Sequence, residues 1–459
     1  MSVQRRTRDL VVVVPGILGS VLRTPDGRDA WNASLAMASD VLLRTSEALE
    51  SLRLPRDLGD APPTGRYALQ STALMPGWQV WPGFWAGAGY PALVRSLRKC
   101  LLRPEQQLLL FPYDWRLSNK TNAQLLLQRA ERRLDQWRRD GGGPDAQLQL
   151  VCHSMGGLIG RYFLHVLGGK AMTRRAYTLG TPYSGSLKAV RVLTGRFLPP
   201  PLERLGERLR TVAETFPSLA ELLPTYACVA QHGDGRGGGA VPLVDHHLPG
   251  LDRQTLLRSA EFHGEITAME ADTRDGIVHV FGGDGQPTEQ AMMIDPPGIR
   301  FVPCQRGEDF GGDGTVPRFS SVPPHWQDDS AALFYPARHV ALTQHSDLLR
   351  HLSDKITAVP LSRALAPARP LSLELPPVAV AGRKVPLHVR AGRPDLVLHA
   401  HVRGADGTPH GHPVELRPDG AGNYSADLVV PPGLWQITVK TTHESPAGRV
   451  DDVLVVAAP

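Results

Sequence analysis

The chain has 459 residues, 42% of them hydrophobic, and a formal net charge of +5, which allow two or three domains with a substantial core and exclude a disordered chain or a small stapled scaffold. The basic excess is spread out, with no run of five like charges, so no nucleic-acid partner is expected. Gly 46 and Pro 41 stay below a low-complexity composition, though they leave room for long loops.

Taken in chain order, basic residues precede the run Leu10 to Val14, which Pro15-Gly16 halts after five residues. That run is too short for a secretion signal and reads as a first strand. No stretch approaches the roughly 18 apolar residues of a membrane span. Further short apolar runs follow at Leu108 to Phe111, Leu148 to Cys152, Ala176 to Leu179, Ile277 to Phe281 and Ala332 to Ala337. Between two of them Leu125, Leu126, Ala130, Leu134 and Trp137 recur at helical spacing, with arginines opposite. Continuous apolar strands separated by helices predict a parallel sheet covered on both faces.

Residues 186–225 form a proline-broken amphipathic stretch, expected as a cap or lid, with the Gly233 to Gly239 loop as its hinge. The expected organisation is an α/β domain over 1–360 with cap insertions at about 31–90 and 186–250, then a linker at 361–370. Over 371–459 helical periodicity disappears. Short runs such as VPLHVR, LVLHAHVRG with the turn signal Asp406-Gly407, NYSADLVV after Asp419-Gly420, LWQITVKT and VDDVLVVA, bounded by turns, predict about seven strands in an all-β immunoglobulin-like sandwich without the Cys…Trp…Cys signature. Trp435, Ile437 and Val439 alternate with polar neighbours, as one buried face requires.

Cys100, Cys152, Cys228 and Cys304 are far apart and form no metal-ligand cluster, which points to a reducing, cytoplasmic setting without disulfides or structural zinc. Asp245-His246-His247 lacks a third ligand at fitting spacing, so neither a metal nor a cofactor is expected.

The strongest chemical signal is LQLVCHSMGGLIGRYFLHVL, an apolar strand running through Ser154 into a helix. This is the pattern of a nucleophile elbow on an α/β-hydrolase sheet, with Gly156 at the second glycine of G-x-S-x-G and Cys152 at the first. Serine needs a histidine base and a carboxylate to orient it, and on this fold the acid precedes the base in the chain. Asp313, in a glycine-crowded turn, is the favoured acid, and Asp284 in FGGDGQPT competes with it. His339, just beyond the last strand, is the favoured base; His345 is the alternative, and His351 is read as helix surface. The amides of Met155 and Ile17 are the expected oxyanion donors, one following the nucleophile and the other in the turn after the first strand.

VVVVPGILGSVL, the Gly89 to Leu97 run, FPYDWR at Phe111 to Arg116, VCHSMGGLIGRYF, TLGTPYSGS, FPSLAELLP and GGDGTVP occur in one order. Together they resemble the lecithin:cholesterol acyltransferase-like family, bacterial type, which includes lysosomal phospholipase and phospholipid:diacylglycerol acyltransferase. The resemblance covers roughly residues 8 to 358 and implies that Ser154 is the nucleophile, Asp313 the triad acid and Ile17 an oxyanion donor; it also supports His339. The C-terminal segment lies outside it, and the cysteine-bracketed lid of secreted members has no counterpart.

Trp78, Trp81 and Trp85 crowd a Pro/Gly-rich loop, and tryptophan suits a lipid–water boundary, so this loop is a candidate interface. Trp115, in YDWR, is read either as shaping an acyl pocket or as holding a strand end. These residues together predict a serine acyl-hydrolase acting on a lipid ester, with a phospholipid as the expected substrate and with peripheral membrane contact. Acyl transfer with the same triad is the alternative, and a non-catalytic binding protein is the third. A phospholipase facing its own inner leaflet needs restraint, by a closed lid or by a protein partner bound through the sandwich.

Overall fold

The computed structural model describes residues 6–32, 46–56, 58–76, 79–81, 85–87, 89–197, 203–230, 239–246, 248, 251–270, 276–295, 298–326, 328–357, 371–376, 378–391, 394, 396–404, 408–441 and 449–457. The expected linker at 361–370 and most of the expected hinge loop lie outside them.

Leu10–Val14 (β1), a leucine and four valines, is buried along its whole length. β-branched residues fit a pleated surface, and a strand apolar on both sides is stable only between two layers. Leu108–Leu110 (β2), Leu148–His153 (β3), Thr173–Leu179 (β4), Val278–Gly283 (β5) and Leu333–Tyr335 (β6) complete a six-stranded sheet. Its order is β6-β5-β4-β3-β1-β2 and every pairing is parallel.

The helices that matter for the site are Pro91–Lys99 (α1), Asn119–Trp137 (α2), Met155–Arg161 (α3), Leu187–Leu193 (α4), Arg253–Met269 (α5) and Ser346–Ile356 (α6). Ser118 caps α2 by accepting from Lys120 N, and the helix buries Leu126, Ala130, Leu134 and Trp137, the stripe that its spacing predicts. Side chains alternate along β3. Cys152 meets α3 at Gly160, whereas Gln149, on the other face, donates to the Ile356 carbonyl of α6 at 3.2 Å. The parallel sheet is therefore covered by helices on both sides, the layered arrangement that its continuously apolar strands require.

A second, four-stranded sheet was not foreseen. It joins Ala240–Pro242, Ala227–Ala230, Ala291–Asp295 and Gly298–Val302, linking the cap region to the segment between β5 and Asp313. Near the N-terminus, Ser20–Arg23 pairs with both Asp29–Trp31 and Gln70–Leu74.

The C-terminal region holds nine strands among the described residues: Ser372–Glu374 (β7), Val378–Val380 (β8), Val385–Arg390 (β9), Leu398–Gly404 (β10), Val414–Glu415 (β11), Arg417–Pro418 (β12), Asn423–Leu428 (β13), Gly433–Thr441 (β14) and Arg449–Ala457 (β15). They form two sheets, β7-β9-β13-β12 and β8-β15-β14-β10-β11. Leu373, Leu387 and Tyr424 from the first share one core with Val402, Ile437 and Leu454 from the second. Strand β9 alternates buried Val385, Leu387 and Val389 with exposed Pro386, His388 and Arg390. Two of the strands are only two residues long, below what periodicity in a sequence can reveal. No helix among the described residues is long and apolar enough to cross a membrane.

Candidate active site

Ser154 joins β3 to α3 with φ 53° and ψ −126°, a backbone conformation rarely adopted by a residue with a Cβ. It persists because the neighbours leave no alternative. Ser154 N donates to the Leu179 carbonyl at 2.9 Å, and Ser154 O accepts from Gly157 N. α3 presses so close to β1 that a Cβ on Gly156 would sit 2.3 Å from Pro15 O. Cys152 replaces the first glycine of the elbow pattern, and α3 accommodates it with Gly160, where a Cβ would meet Cys152 Sγ at 2.9 Å. Burial pushes the Cys152 thiol up to about 12, so it is an inert, protonated packing group.

Asp313 stands in the turn beyond Gly298–Val302, on the segment that joins β5 to β6, and the loop after β6 carries His339. His339 Nε2 lies 2.9 Å from Ser154 Oγ, and His339 Nδ1 lies 2.6 Å from Asp313 Oδ2. Asp313 Oδ1 accepts from Thr315 N at 2.9 Å and Val316 N at 2.7 Å, which fixes the carboxylate in its turn. His339 N donates to Asp313 O at 2.8 Å, tying the two loops together. With Nδ1–H donated to the carboxylate, Nε2 is left to accept the serine proton. All three side chains are buried, Ser154 completely.

The competitors stand elsewhere. Asp284 accepts from Gly285 N and Gly312 N and pairs with Arg318 at 2.6 Å, bracing the acid loop from outside. His345 caps α6 by accepting from Leu348 N, and burial lowers its pKa. His351 is half-buried and bonded to Tyr335 Oη at 2.7 Å, rather than sitting free on the helix surface.

The turn after β1 closes with Gly19 N donating to Gly16 O at 3.0 Å and places Leu18 at φ 62°, a type II turn with leucine where glycine is usual. Gly16 N donates to Tyr90 Oη at 2.8 Å. Tyr113 Oη donates to Pro15 O at 2.8 Å, and Trp115 Nε1 donates to Ser20 O at 3.2 Å. The turn is thus gripped at both ends. Met155 is the first residue of α3, so its amide has no partner within the helix.

Tyr90 and His153 were missed as site residues although both stand in recognised motifs. Tyr90 Oη also reaches His153 Nδ1 at 3.0 Å, and His153 Nε2 faces the His339 carbonyl at 3.4 Å. Burial, with His339 beside it, depresses His153 to about 3, so its ring is neutral and links the turn after β1, through Tyr90, to the segment that carries His339.

Trp115 is fully buried, edge-on to Trp31 and Phe216. It packs in the core, and the Asp114–Arg116 pair beside it, 2.6 Å apart, is also buried. Trp81 and Trp85 pair in register across the short hairpin Gln79–Trp81/Trp85–Gly87, and Trp78 lies outside the described residues, as does His247. A cavity of about 560 Å³ opens beside α5, lined by Leu223, Leu243, Leu256, Ser259 and His263 among others, and none of its lining residues belongs to the Ser154 cluster.

Phospholipase PlaB from Legionella pneumophila is similar at 14% identity, over 83% of this chain and 91% of that one, with a TM-score of 0.32. The mature lipase BlEst2 from Bacillus licheniformis is similar at 13% identity, over 77% and 92%, with a TM-score of 0.30. No match is found among curated proteins. The sequence model of the lecithin:cholesterol acyltransferase family matches residues 85–236, a stretch that contains Ser154.

Proposed function

We propose that the protein is a serine acyl-hydrolase that cleaves lipid esters, with phospholipids as the favoured substrates. The observation that carries the reading is the continuous chain Ser154 Oγ, His339 Nε2, His339 Nδ1, Asp313 Oδ2, at 2.9 Å and 2.6 Å. In the reaction Ser154 Oγ attacks the ester carbonyl while its proton passes to His339 Nε2, and Asp313 stabilises the resulting imidazolium. The oxyanion is received by the Ile17 and Met155 amides. Collapse breaks the ester C–O bond, and the departing alcohol takes the proton from His339. Water then attacks the acyl-enzyme, gives its proton to His339 and releases the acid, the serine recovering its proton.

Acyl transfer to an alcohol is the second reading, favoured by the complete burial of Ser154, which keeps water away from the acyl-enzyme. The same burial requires a covering segment to move before substrate enters, and the proline-broken stretch after residue 186 is the proposed lid. The proposed organisation is a hydrolase domain over 1–360 and an immunoglobulin-like sandwich over 371–459. Peripheral membrane contact through the tryptophan loop and a protein partner on the sandwich complete the proposal.

Mass spectrometry of products from mixed phospholipid vesicles tests it. Free fatty acid plus lysolipid is expected from the wild type and none from Ser154→Ala; a fatty ester that outgrows free acid when an alcohol is added selects transfer. Lipid binding without any product, unchanged in Ser154→Ala, contradicts both.

A further inference from the structure

Arg338 immediately precedes His339, and its side chain leaves the hydrolase core. Nη1 donates to the Leu373 carbonyl of β7 at 2.9 Å and pairs with the Asp452 carboxylate of β15. One guanidinium therefore bridges both C-terminal sheets, and the two charged side chains are only 16% and 13% exposed. By strand alternation Asp452 shares a face of β15 with Val450, Leu454 and Val456, all members of the C-terminal core. A carboxylate in an apolar row is costly unless paired, and its arginine comes from the other region of the chain.

Arg338 also lies over the acid loop, since a Cβ on Gly314 would come within 3.4 Å of its Nε. A second tie runs through Gln286, which is 3% exposed. Its Nε2 donates to Leu371 O at 3.2 Å and its Oε1 accepts from Leu373 N at 3.3 Å. Its own amide donates to Gly312 O at 3.0 Å, one residue before Asp313. Both loops that complete the Ser154 cluster are thus fastened to the start of β7 and to the middle of β15.

We infer that the C-terminal sheets are a working part of the active site: Arg338, anchored by Asp452, is a positioning residue that holds His339 within reach of Ser154, and Gln286 holds Asp313 in the same way. This rests on the reading of Ser154, Asp313 and His339 as a triad. A serine–imidazole distance altered by about 1 Å lowers turnover by about 100-fold, so a loosened base loop is visible in rate before it is visible in fold.

The test uses the full chain as wild type, Asp452→Ala, Asp452→Asn, Asp452→Glu and Gln286→Ala. The readouts are the rate of Ser154 labelling by a fluorophosphonate, kcat and KM on a soluble short-chain ester, and the melting temperature. Asp452→Ala is expected to be labelled about 10- to 100-fold more slowly, with kcat reduced in step and KM within about twofold. Asp452→Glu is expected to recover most of the rate, and Gln286→Ala to show a smaller loss of the same kind. If Asp452→Ala does not accumulate as folded protein, Asp452→Asn, of the same shape, is read identically. Labelling and kcat at wild-type values in the folded Asp452 and Gln286 variants, with only the melting temperature lowered, would overturn the inference. A wild type that is not labelled overturns the triad itself, and the positioning claim with it.

Discussion

The Ser154 side of the site is built where β1 and its turn pack directly against β3 and α3, whereas Asp313 and His339 stand on separate segments after β5 and β6 that are tied down by side chains outside them. On the first side, backbone-to-backbone contact at Gly156 and the grip of Tyr90 and Tyr113 on the turn leave little freedom. On the second, Asp284, Gln286 and Arg338 act as external ties. A site assembled this way separates a rigid half, which presents the Ser154 hydroxyl and the amides proposed as oxyanion donors, from a half whose order depends on the rest of the molecule.

The largest expected effect is on the rigid half. Gly156→Ala places a methyl 2.3 Å from Pro15 O, where backbone faces backbone and neither can yield. A stability loss of about 3 kcal/mol or more is expected, read as a lower denaturation midpoint with unchanged slope. A midpoint equal to that of the wild type would mean that strand and helix are not in contact there.

Tyr90→Phe removes the acceptor for Gly16 N and the donor to His153 while keeping the ring. The account predicts a kcat about 10- to 100-fold lower, because the oxyanion turn loses its anchor, and a stability loss of only about 1 kcal/mol. Unchanged kcat would show that the turn holds itself.

Acid titration addresses the joint between the halves. His153 is neutral in the fold down to about 3 but takes up a proton near 6.5 when unfolded. The unfolded chain therefore binds more protons below pH 6.5, and stability falls with pH by about 1.4 kcal/mol per unit from this group, or about 2 kcal/mol by pH 5. His263 and His279, each depressed to about 4 by burial, add slopes of the same sign. His153→Gln should show a shallower acid limb than the wild type; identical limbs would contradict a buried neutral imidazole at the junction.

The smallest effect is expected from Asp284→Asn. Its pair with Arg318 is partly exposed, so a loss of about 1 kcal/mol or less is expected in stability, with kcat within about threefold of the wild type. Loss of all turnover would instead make Asp284 the acid and dissolve the distinction between tie and triad.

The same division decides how much was legible in the sequence. Ser154 could be read because the elbow is written in contiguous residues: an apolar strand, a small-residue turn and a helix. The substitution of Cys152 for glycine departs from the elbow pattern, and Gly160, six residues beyond Ser154, makes room for it. The parallel sheet was legible for a related reason, since strands buried on both faces are continuously apolar. Position alone favours His339, just beyond the last strand, over His345 in the following helix, and it is His339 that hydrogen-bonds Ser154. Tyr90 carried no signal of its own, as its partners Gly16 and His153 lie far away in the chain. Asp452 did carry one: an acid in the apolar row of VDDVLVVA calls for a cation from outside the strand. The four-stranded sheet around Ala291–Asp295 joins segments separated by a long helix, and period-two patterning in strands of three to five residues does not reveal such partners.

The central claim is that His339, and not its neighbour at 345, activates Ser154. Intact-mass and peptide mapping after fluorophosphonate treatment of wild type, His339→Gln and His345→Gln tests it directly. One adduct on Ser154 in the wild type and in His345→Gln, and none in His339→Gln over the same time, is the predicted result; equal labelling of His339→Gln, or an adduct on another residue, would contradict it.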